Sequence, residues 1–84
     1  MLKYKFNVGD ALERAGFTTY KAKKTGLLSQ DTLRKIKNEE TNITLGALNS
    51  ICMILDLQPK DILIYEETED EEKKKTRIIL KALT

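Results

Sequence analysis

The sequence contains no histidine and no tryptophan, and it has one cysteine and one proline among its 84 residues. Without histidine, the chain lacks the side chain that most often serves as a general base or a metal ligand near neutral pH. A single cysteine, Cys52, can form neither an internal disulfide nor a thiolate metal site. The four glycines are scattered, so no glycine-rich phosphate loop is present. These absences argue against an enzyme, a metal centre and a cofactor.

Long apolar runs are also missing. No stretch approaches the roughly 20 apolar residues that cross a bilayer, and the first residues alternate apolar and polar side chains, unlike a signal peptide. We therefore expect no membrane segment and a cytoplasmic, nucleoid-associated location. A composition of 40% hydrophobic and 33% charged residues fits one small globular domain. Cys52 lies in the apolar run 51–55, which favours a role as a small buried hydrophobic residue.

Positive charge is concentrated between residues 18 and 38. This stretch has six lysines and arginines and one acidic residue, Asp31, so its net charge is +5, whereas the whole chain carries +2. Such a basic surface is typical of proteins that contact nucleic-acid phosphates, but an ordinary solvated pair of helices has the same composition. Features elsewhere in the chain are needed to choose between the two interpretations.

The same stretch predicts two short helices joined by a tight turn. Thr18 is suited to cap a helix over residues 19–25, and Ser29 is suited to cap a second helix that continues to Asn38. Between them, the segment Gly26-Leu27-Leu28 supplies a glycine for the turn and two leucines that would dock the pair onto the core. The predicted arrangement is helix, turn, helix.

The second of these helices contains only two apolar residues, Leu33 and Ile36, which lie three positions apart and predict one narrow buried edge. The rest of its surface is polar and faces solvent or a polar partner. This layout matches a DNA-binding helix-turn-helix, whose first helix crosses the DNA backbone and whose second helix places its N-terminal side chains on base edges in the major groove.

Three more helices and two strands are predicted around this pair. Asn7 would cap a helix that ends at Gly16, Thr44 would cap one from Leu45 to about residue 56, and Pro59 would open a short fifth helix. The expected buried residues are Val8, Ala11, Leu12 and Ala15 in the first, Leu45, Leu48, Ile51, Cys52 and Leu55 in the second, and Leu57, Ile62 and Leu63 around the third.

The two strands are predicted at opposite ends of the body. Apolar and polar residues alternate over residues 2–6, which indicates a strand with one apolar face, and residues 63–67 look extended. We expect the two segments to pair as a small antiparallel β ribbon beside the helices.

Residues 68–84 form a charged tail that differs in character from the body, residues 1–67. Acidic residues precede basic ones, which favours a helix through pairs four positions apart, Glu69 with Lys73 and Glu71 with Lys75. An isolated helix of this length is marginal. The tail therefore either frays or docks its apolar residues on the body or on a second copy of the chain. Those residues are Ile78, Ile79, Leu80, Ala82 and Leu83.

Three segments in order resemble the Cro and lambda-repressor type, or XRE-like, helix-turn-helix regulators in their small single-domain bacterial and phage form. The segments are TTYKAKK at 18–24, LLSQDTLRKIKN at 27–38 and LGALNSICMILDLQPKDILIY at 45–65, and the resemblance covers roughly residues 3–67. It implies a mainly α, five-helix lambda-repressor-like domain that binds double-stranded DNA and performs no catalysis.

Matched position by position, the resemblance implies two sets of DNA contacts. Base-reading residues lie on the second helix of the motif, where a glutamine amide suits adenine, a lysine suits guanine and a carboxylate suits the amino group of cytosine. Phosphate contacts lie at and around the helix N-termini. The base-reading set is Gln30, Asp31, Arg34 and Lys35. The phosphate-contacting set is Thr18, Thr19, Tyr20, Lys23, Ser29, Thr32, Lys37 and Asn38.

Single members of these sets also have plainer interpretations, and two features depart from the family pattern. Ser29 would serve as a cap in any helix, and Lys35 would be charged and solvated on any surface. Aligned without gaps, the usual turn glycine falls on Leu27, one residue after Gly26, so either the turn is rebuilt or the register slips by one. Glu39 stands where a glycine is common, and its negative charge should lower non-specific affinity.

The combined features favour a sequence-specific DNA-binding transcriptional regulator, a repressor. We expect a homodimer on a palindromic operator whose half-sites lie about one helical turn, roughly 34 Å, apart. The terminal strands or the tail would form the dimer contact, and no cofactor, metal or small-molecule ligand is implied. One alternative is a protein-interaction module on the same fold, an antitoxin or antirepressor that acts through the charged tail. Another is a small structural or assembly protein that oligomerises without nucleic acid.

Overall fold

The fold is mainly α with one small antiparallel ribbon, as predicted. A computed structural model describes the backbone of residues 1–83 and the side chains of residues 1–79. Within this part of the chain, the five predicted helices are confirmed and the tail adds a sixth. The elements are β1 (Leu2–Tyr4), α1 (Val8–Arg14), α2 (Thr19–Thr25), α3 (Gln30–Lys37), α4 (Leu45–Leu55), α5 (Pro59–Ile62), β2 (Leu63–Tyr65) and α6 (Glu69–Leu83).

Each of the helices α1 to α4 begins at the side-chain cap that the sequence predicted. The cap side chain accepts a hydrogen bond from the backbone N–H three residues later, which satisfies a donor that the helix itself leaves free. The caps and the residues that donate to them are Asn7 with Asp10, Thr18 with Lys21, Ser29 with Thr32 and Thr44 with Ala47. Such a cap contributes about 1 kcal/mol to stability.

The hydrophobic core lies where α1, α3, α4 and α5 meet. Its most completely buried side chains are Leu12, Ile36, Ile51, Ile62 and Val8. Burying a side chain of this size contributes about 1.5–3 kcal/mol relative to leaving it in water. Gly9 lets α1 approach α3 closely, since a Cβ there would lie 3.4 Å from the Cα of Lys37.

Three of the predicted core positions are wrong. Ala15 and Leu27 lie at helix ends on the surface, and Leu45 is 84% exposed. The side of α4 that packs against the core instead contains Ala47, Ser50 and Ile51, while Leu48, Cys52 and Leu55 are only half-buried. Periodic apolar spacing shows that a helix has an apolar stripe, but α4 is apolar on more than one side, so spacing did not identify the core side.

The ribbon attaches both ends of the body to the loop that follows α3. Its strands pair Leu2 with Tyr65 and Tyr4 with Leu63, and both strands are shorter than the predicted 2–6 and 63–67. The Tyr4 hydroxyl donates a hydrogen bond of 2.7 Å to the backbone oxygen of Glu40. The Thr41 hydroxyl donates one of 3.2 Å to the backbone oxygen of Leu2. This loop is therefore held in place immediately after α3.

The tail helix α6 starts with a reciprocal cap between Thr68 and Glu71. The Thr68 N–H donates to the Glu71 carboxylate at 3.1 Å, and the Glu71 N–H donates to the Thr68 hydroxyl at 3.2 Å. Glu71 also pairs with the Met1 amino group, and Lys75 lies 3.6 Å from the carboxylate of Glu67. The predicted pair of Glu71 with Lys75 is therefore wrong, because Glu71 is engaged by the cap and Lys75 reaches back to Glu67. Among the described side chains, Glu69 and Lys73 do not form the predicted ion pair either.

The apolar end of α6 does not dock on the body where the structure describes it. Ile78 and Ile79 are exposed, and the predicted docking residues Leu80, Ala82 and Leu83 lie outside the described side chains. The molecule measures 54 Å along its longest axis and about 20 Å across, in keeping with a helix that extends away from the core. Within residues 1–83, no helix is long and apolar enough to span a membrane.

Candidate nucleic-acid interface

The α3 helix packs one edge into the core and leaves its polar face outside. Leu33 and Ile36 are buried, as predicted, and α3 packs against α1 and α2. Gln30, Asp31 and Arg34 are exposed on the opposite side. The two buried residues fix the rotation of α3 about its axis, so the polar residues have defined directions relative to the body.

Five of the sequence-predicted contact residues line one shallow depression between the start of α2 and the face of α3. On α3, the spacing of four, seven and eight positions from Gln30 places these side chains on one helical face. Thr19 of α2 and the buried Leu33 of α3 also line the depression. The predicted residues in the depression are Thr19, Gln30, Arg34, Lys37 and Asn38. The structure thus brings together members of both the base-reading and the phosphate-contacting sets.

Three of the four base-reading candidates form an ion-pair network. The Asp31 carboxylate pairs with the Arg34 guanidinium and lies 3.5 Å from the Lys35 ammonium, since these residues are three and four positions apart on α3. The hydrogen bond from Arg34 holds the pKa of Asp31 below its usual value, and the charges of Arg34 and Lys35 add to the shift. Asp31 is therefore a carboxylate at neutral pH, and it partly offsets two cations on the exposed face.

Replacing Arg34 by glutamine should raise the pKa of Asp31 toward its usual value, because the hydrogen bond from Arg34 is the largest cause of the lowering. A lowered carboxyl pKa stabilises the folded state above the usual pKa, and this stabilisation is lost as the pH falls through the lowered value. The shift is measurable by an NMR titration of the Asp31 carboxyl carbon. In the control, Lys35→Gln, the pKa should move less. An equal rise of the Asp31 pKa in both variants would contradict the assignment of the Arg34 hydrogen bond as the largest cause.

Ser29 and Thr32 form the start of α3. The Ser29 hydroxyl accepts from the Thr32 N–H at 3.1 Å and donates to the Thr32 hydroxyl oxygen at 2.8 Å. Ser29 is thus a helix cap, a role that the sequence predicted for it with or without DNA binding. The Thr32 hydroxyl hydrogen is left able to donate to an outside acceptor such as a phosphate oxygen.

The remaining predicted contacts lie on α2, outside the depression. Thr18 caps α2, while Tyr20 is 68% exposed with the Lys24 ammonium 5.6 Å from its ring centre, and Lys23 is also exposed. Ala22 is the buried residue of α2, and the helix ends at Gly26 with a left-handed φ of 70°. The turn is therefore built on Gly26, one residue earlier than in the common family pattern.

The sequence did not predict that Tyr4 positions the loop that follows α3. The tyrosine is half-buried, and burial together with the nearby Glu40 raises its pKa, so the hydroxyl keeps its proton and donates to the Glu40 backbone. The alternating pattern of residues 2–6 placed Tyr4 on an apolar face. Nothing in the sequence marks a partner 36 positions away. Tyr4 is a positioning residue for the loop that follows α3.

Glu39 occupies a strained position in this loop. Its φ is 61°, in the left-handed region, which costs about 1–2 kcal/mol for a residue with a side chain. A glycine at this position would avoid the strain. Glu39 departs from the family pattern at a position where a glycine is common, and its left-handed φ explains why glycine suits this position.

Replacing Glu39 by glycine should raise the free energy of unfolding by about 1 kcal/mol, because relief of the strain exceeds the extra entropy of an unfolded glycine. The same change should raise affinity for non-specific DNA by removing a negative charge near the basic face. Urea titration and a fluorescence binding titration at fixed salt measure the two effects. Glu39→Gln, the matched control, should raise affinity and leave stability unchanged. Equal stability of the two variants would contradict the assignment of strain.

Comparison with known proteins agrees with this arrangement. The profile of the Cro/C1-type HTH DNA-binding domain matches residues 10–68, which begin within α1, extend past β2 and include the whole helix-turn-helix. No curated protein matches the chain. No solved structure matches it either. Because the matched region covers most of the chain, the protein belongs to the Cro/C1-type family of helix-turn-helix DNA-binding regulators.

Proposed function

We propose that this protein is a sequence-specific transcriptional repressor that inserts α3 into the major groove. The observation that carries the proposal is the depression in which Gln30, Arg34, Lys37 and Asn38 of α3 lie beside Thr19 of α2. It combines side chains suited to base edges with side chains suited to phosphates on one exposed surface. The buried edge of α3, Leu33 and Ile36, holds this surface in a fixed orientation.

The residues of α3 have distinct chemical roles in this proposal. The Gln30 amide can donate to and accept from the edge of adenine, and the Lys35 ammonium can donate to O6 and N7 of guanine. Asp31 can accept from the amino group of cytosine, and its carboxylate keeps lone pairs for this while it is paired with Arg34 and Lys35. A base edge that offers only acceptors would repel the carboxylate, so Asp31 would favour the correct sequence by disfavouring such bases.

Phosphates would be contacted around this reading surface. Thr32 has a hydroxyl hydrogen available for an acceptor, and Asn38 lies exposed at the end of α3. Lys37 lies 3.9 Å from the carboxylate of Glu13, a weak surface pair that a phosphate can replace. The proposed set is completed by Ser29, Thr18, Tyr20 and Lys23. These contacts would set affinity and salt dependence, while the base contacts set sequence preference.

One α3 helix covers only a few base pairs, so the proposal includes a homodimer on a palindromic operator. Repression needs no surface beyond the DNA-binding one, since a protein bound across a promoter excludes the polymerase from it.

The test is selection of bound duplexes from a random DNA pool at about physiological salt, where non-specific electrostatic binding is weakened. We expect enrichment of a two-fold symmetric sequence with half-sites about 10 base pairs apart. Repression is then measured with a reporter gene that has the enriched sequence within its promoter. Recovery of unselected sequences, together with loss of all binding at modest salt, would overturn the sequence-specific function and leave only non-specific DNA binding.

The exposed α6 helix favours a second candidate function, that of an antitoxin or antirepressor that binds another protein. Its described part carries separate acidic and basic segments and two exposed isoleucines, Ile78 and Ile79, and it packs little against the body. Deleting residues 69–84 distinguishes the two functions. An interaction module loses its protein complex after the deletion, whereas a repressor has no such complex to lose and keeps its operator affinity per monomer.

A further inference from the structure

The outward side of α4 is an uncharged surface in a highly charged chain. None of the residues Leu45–Leu55 carries a charge, although a third of the chain is charged. Leu45 is 84% exposed and Met53 is 58% exposed, so this apolar surface faces solvent. An open groove runs along it, lined mainly by Leu45, Leu48, Asn49, Cys52, Met53 and Leu57. A leucine and a methionine left this exposed on one uncharged helix face favour an interaction site.

Along the groove, the side-chain types follow the same order in either direction of α4: apolar, amide, apolar. Leu45, Asn49 and Met53 are spaced four positions apart, so they form one line on the helix surface. The middle residue, Asn49, is exposed. A second α4 laid antiparallel across a two-fold axis at Asn49 would place Leu45 against Met53 of the second copy. The two Asn49 amides would then face each other, each with a donor and an acceptor for the other.

We propose that this α4 face is the contact between two copies of the chain, packed antiparallel about a two-fold axis at Asn49. A two-fold contact places the same surface of both copies against each other, so a surface with charge of one sign repels itself whereas an uncharged one does not. The α4 helix has no cation that could contact a DNA phosphate and no charge that could pair with a charged protein. The inference rests on the homodimer of the proposed function, and it assigns the dimer contact to α4 instead of the ribbon or the tail.

The contact should be weak in the absence of DNA. The groove is lined by eight residues, fewer than the roughly 20–30 per partner of a standard interface. We therefore expect a dissociation constant on the order of micromolar for the free protein. An operator with two half-sites would strengthen the dimer, since it holds both copies in place.

Sedimentation equilibrium without DNA, at protein concentrations up to about 100 μM, tests the contact in this affinity range. Asn49→Glu places two negative charges against each other on the axis, and Asn49 is exposed, so the fold should be kept, as circular dichroism can verify. We expect the natural chain to dimerise and Asn49→Glu to dimerise at least 10-fold more weakly. Thr76→Glu, which makes the same charge change on α6, should dimerise like the natural chain.

Mixing two variants with opposite charges at position 49 tests whether this residue faces the same residue of the second copy. Asn49→Glu and Asn49→Lys should each self-associate at least 10-fold more weakly than the natural chain and should form a heterodimer when mixed. Three results overturn the inference: a monomeric natural chain, a dimer that Asn49→Glu leaves unchanged, or a dimer that only Thr76→Glu dissociates. None of these bears on base reading, which the duplex selection tests separately, so a failed α4 contact and a failed regulator function are distinguishable.

Discussion

Replacing Ile36 by alanine should lower the free energy of unfolding by about 2–5 kcal/mol, the range for an isoleucine removed from a well-packed core. Ile36 is 1% exposed and lies where α3 meets the central core. The loss combines the transfer of apolar surface to water with the cavity that remains, because the packed helices can close it only in part. A domain of this size has only about 5–15 kcal/mol in total, so this one change removes a large part of it.

Urea denaturation followed by circular dichroism measures this loss. All variants are compared at one protein concentration, because dimerisation would make apparent stability depend on concentration. Ile36→Val, which keeps most of the side chain, should cost about 0.5–1.5 kcal/mol. Ile78→Ala on the exposed part of α6 should change stability by less than about 0.5 kcal/mol. A loss at Ile36 no larger than the loss at Ile78 would mean that α3 is not anchored by its buried edge.

Local features of the sequence predicted the helix-turn-helix well. Thr18, Ser29 and Gly26 act through backbone groups within a few residues of themselves, so their effects on helix ends can be inferred from the sequence alone. Leu33 and Ile36 are the only apolar residues of their helix, so no other face could be buried. Where a helix had a single apolar edge, its orientation was predictable.

Orientation was not predictable where polar residues did not mark the outer face. The α4 helix has no charged residue, and the spacing that suggested a buried Leu45 suits either of two sides. Contacts distant in sequence were equally hidden, as with the hydrogen bond from Tyr4 to Glu40 and the ion pair of Glu71 with the Met1 amino group. Both depend on which elements meet in three dimensions.

The candidate site was predictable in part for the same reasons. Helical spacing alone places Gln30, Arg34, Lys37 and Asn38 on one face, whereas the position of Thr19 beside them depends on how α2 packs against α3. Residue types suggested that Asp31 reads bases, but only the structure shows that it pairs with Arg34 and Lys35. The roles of these side chains toward DNA remain predictions that binding measurements decide.

The largest functional effect is expected from the paired change Gln30→Ala, Lys35→Ala. Each well-formed base contact contributes about 1–3 kcal/mol of discrimination, and the two lie on different turns of α3, so affinity for the selected operator should fall roughly 10²- to 10⁴-fold if the effects add. Affinity for unrelated DNA should fall much less, since the phosphate contacts are kept. Electrophoretic mobility or fluorescence anisotropy titrations on both duplexes measure this ratio.

Salt dependence separates base reading from phosphate contact within the pair. If Lys35 contacts a phosphate, Lys35→Ala should weaken all sequences alike and reduce the slope of log affinity against log salt by about 1. If it reads a base, the loss is confined to the operator and depends on the base opposite it. Gln30→Ala should leave the slope unchanged, because the amide releases no counterion. Lys74→Ala removes a charge from α6 instead, and an equal loss of operator affinity there would show that general electrostatics, and not α3, governs recognition.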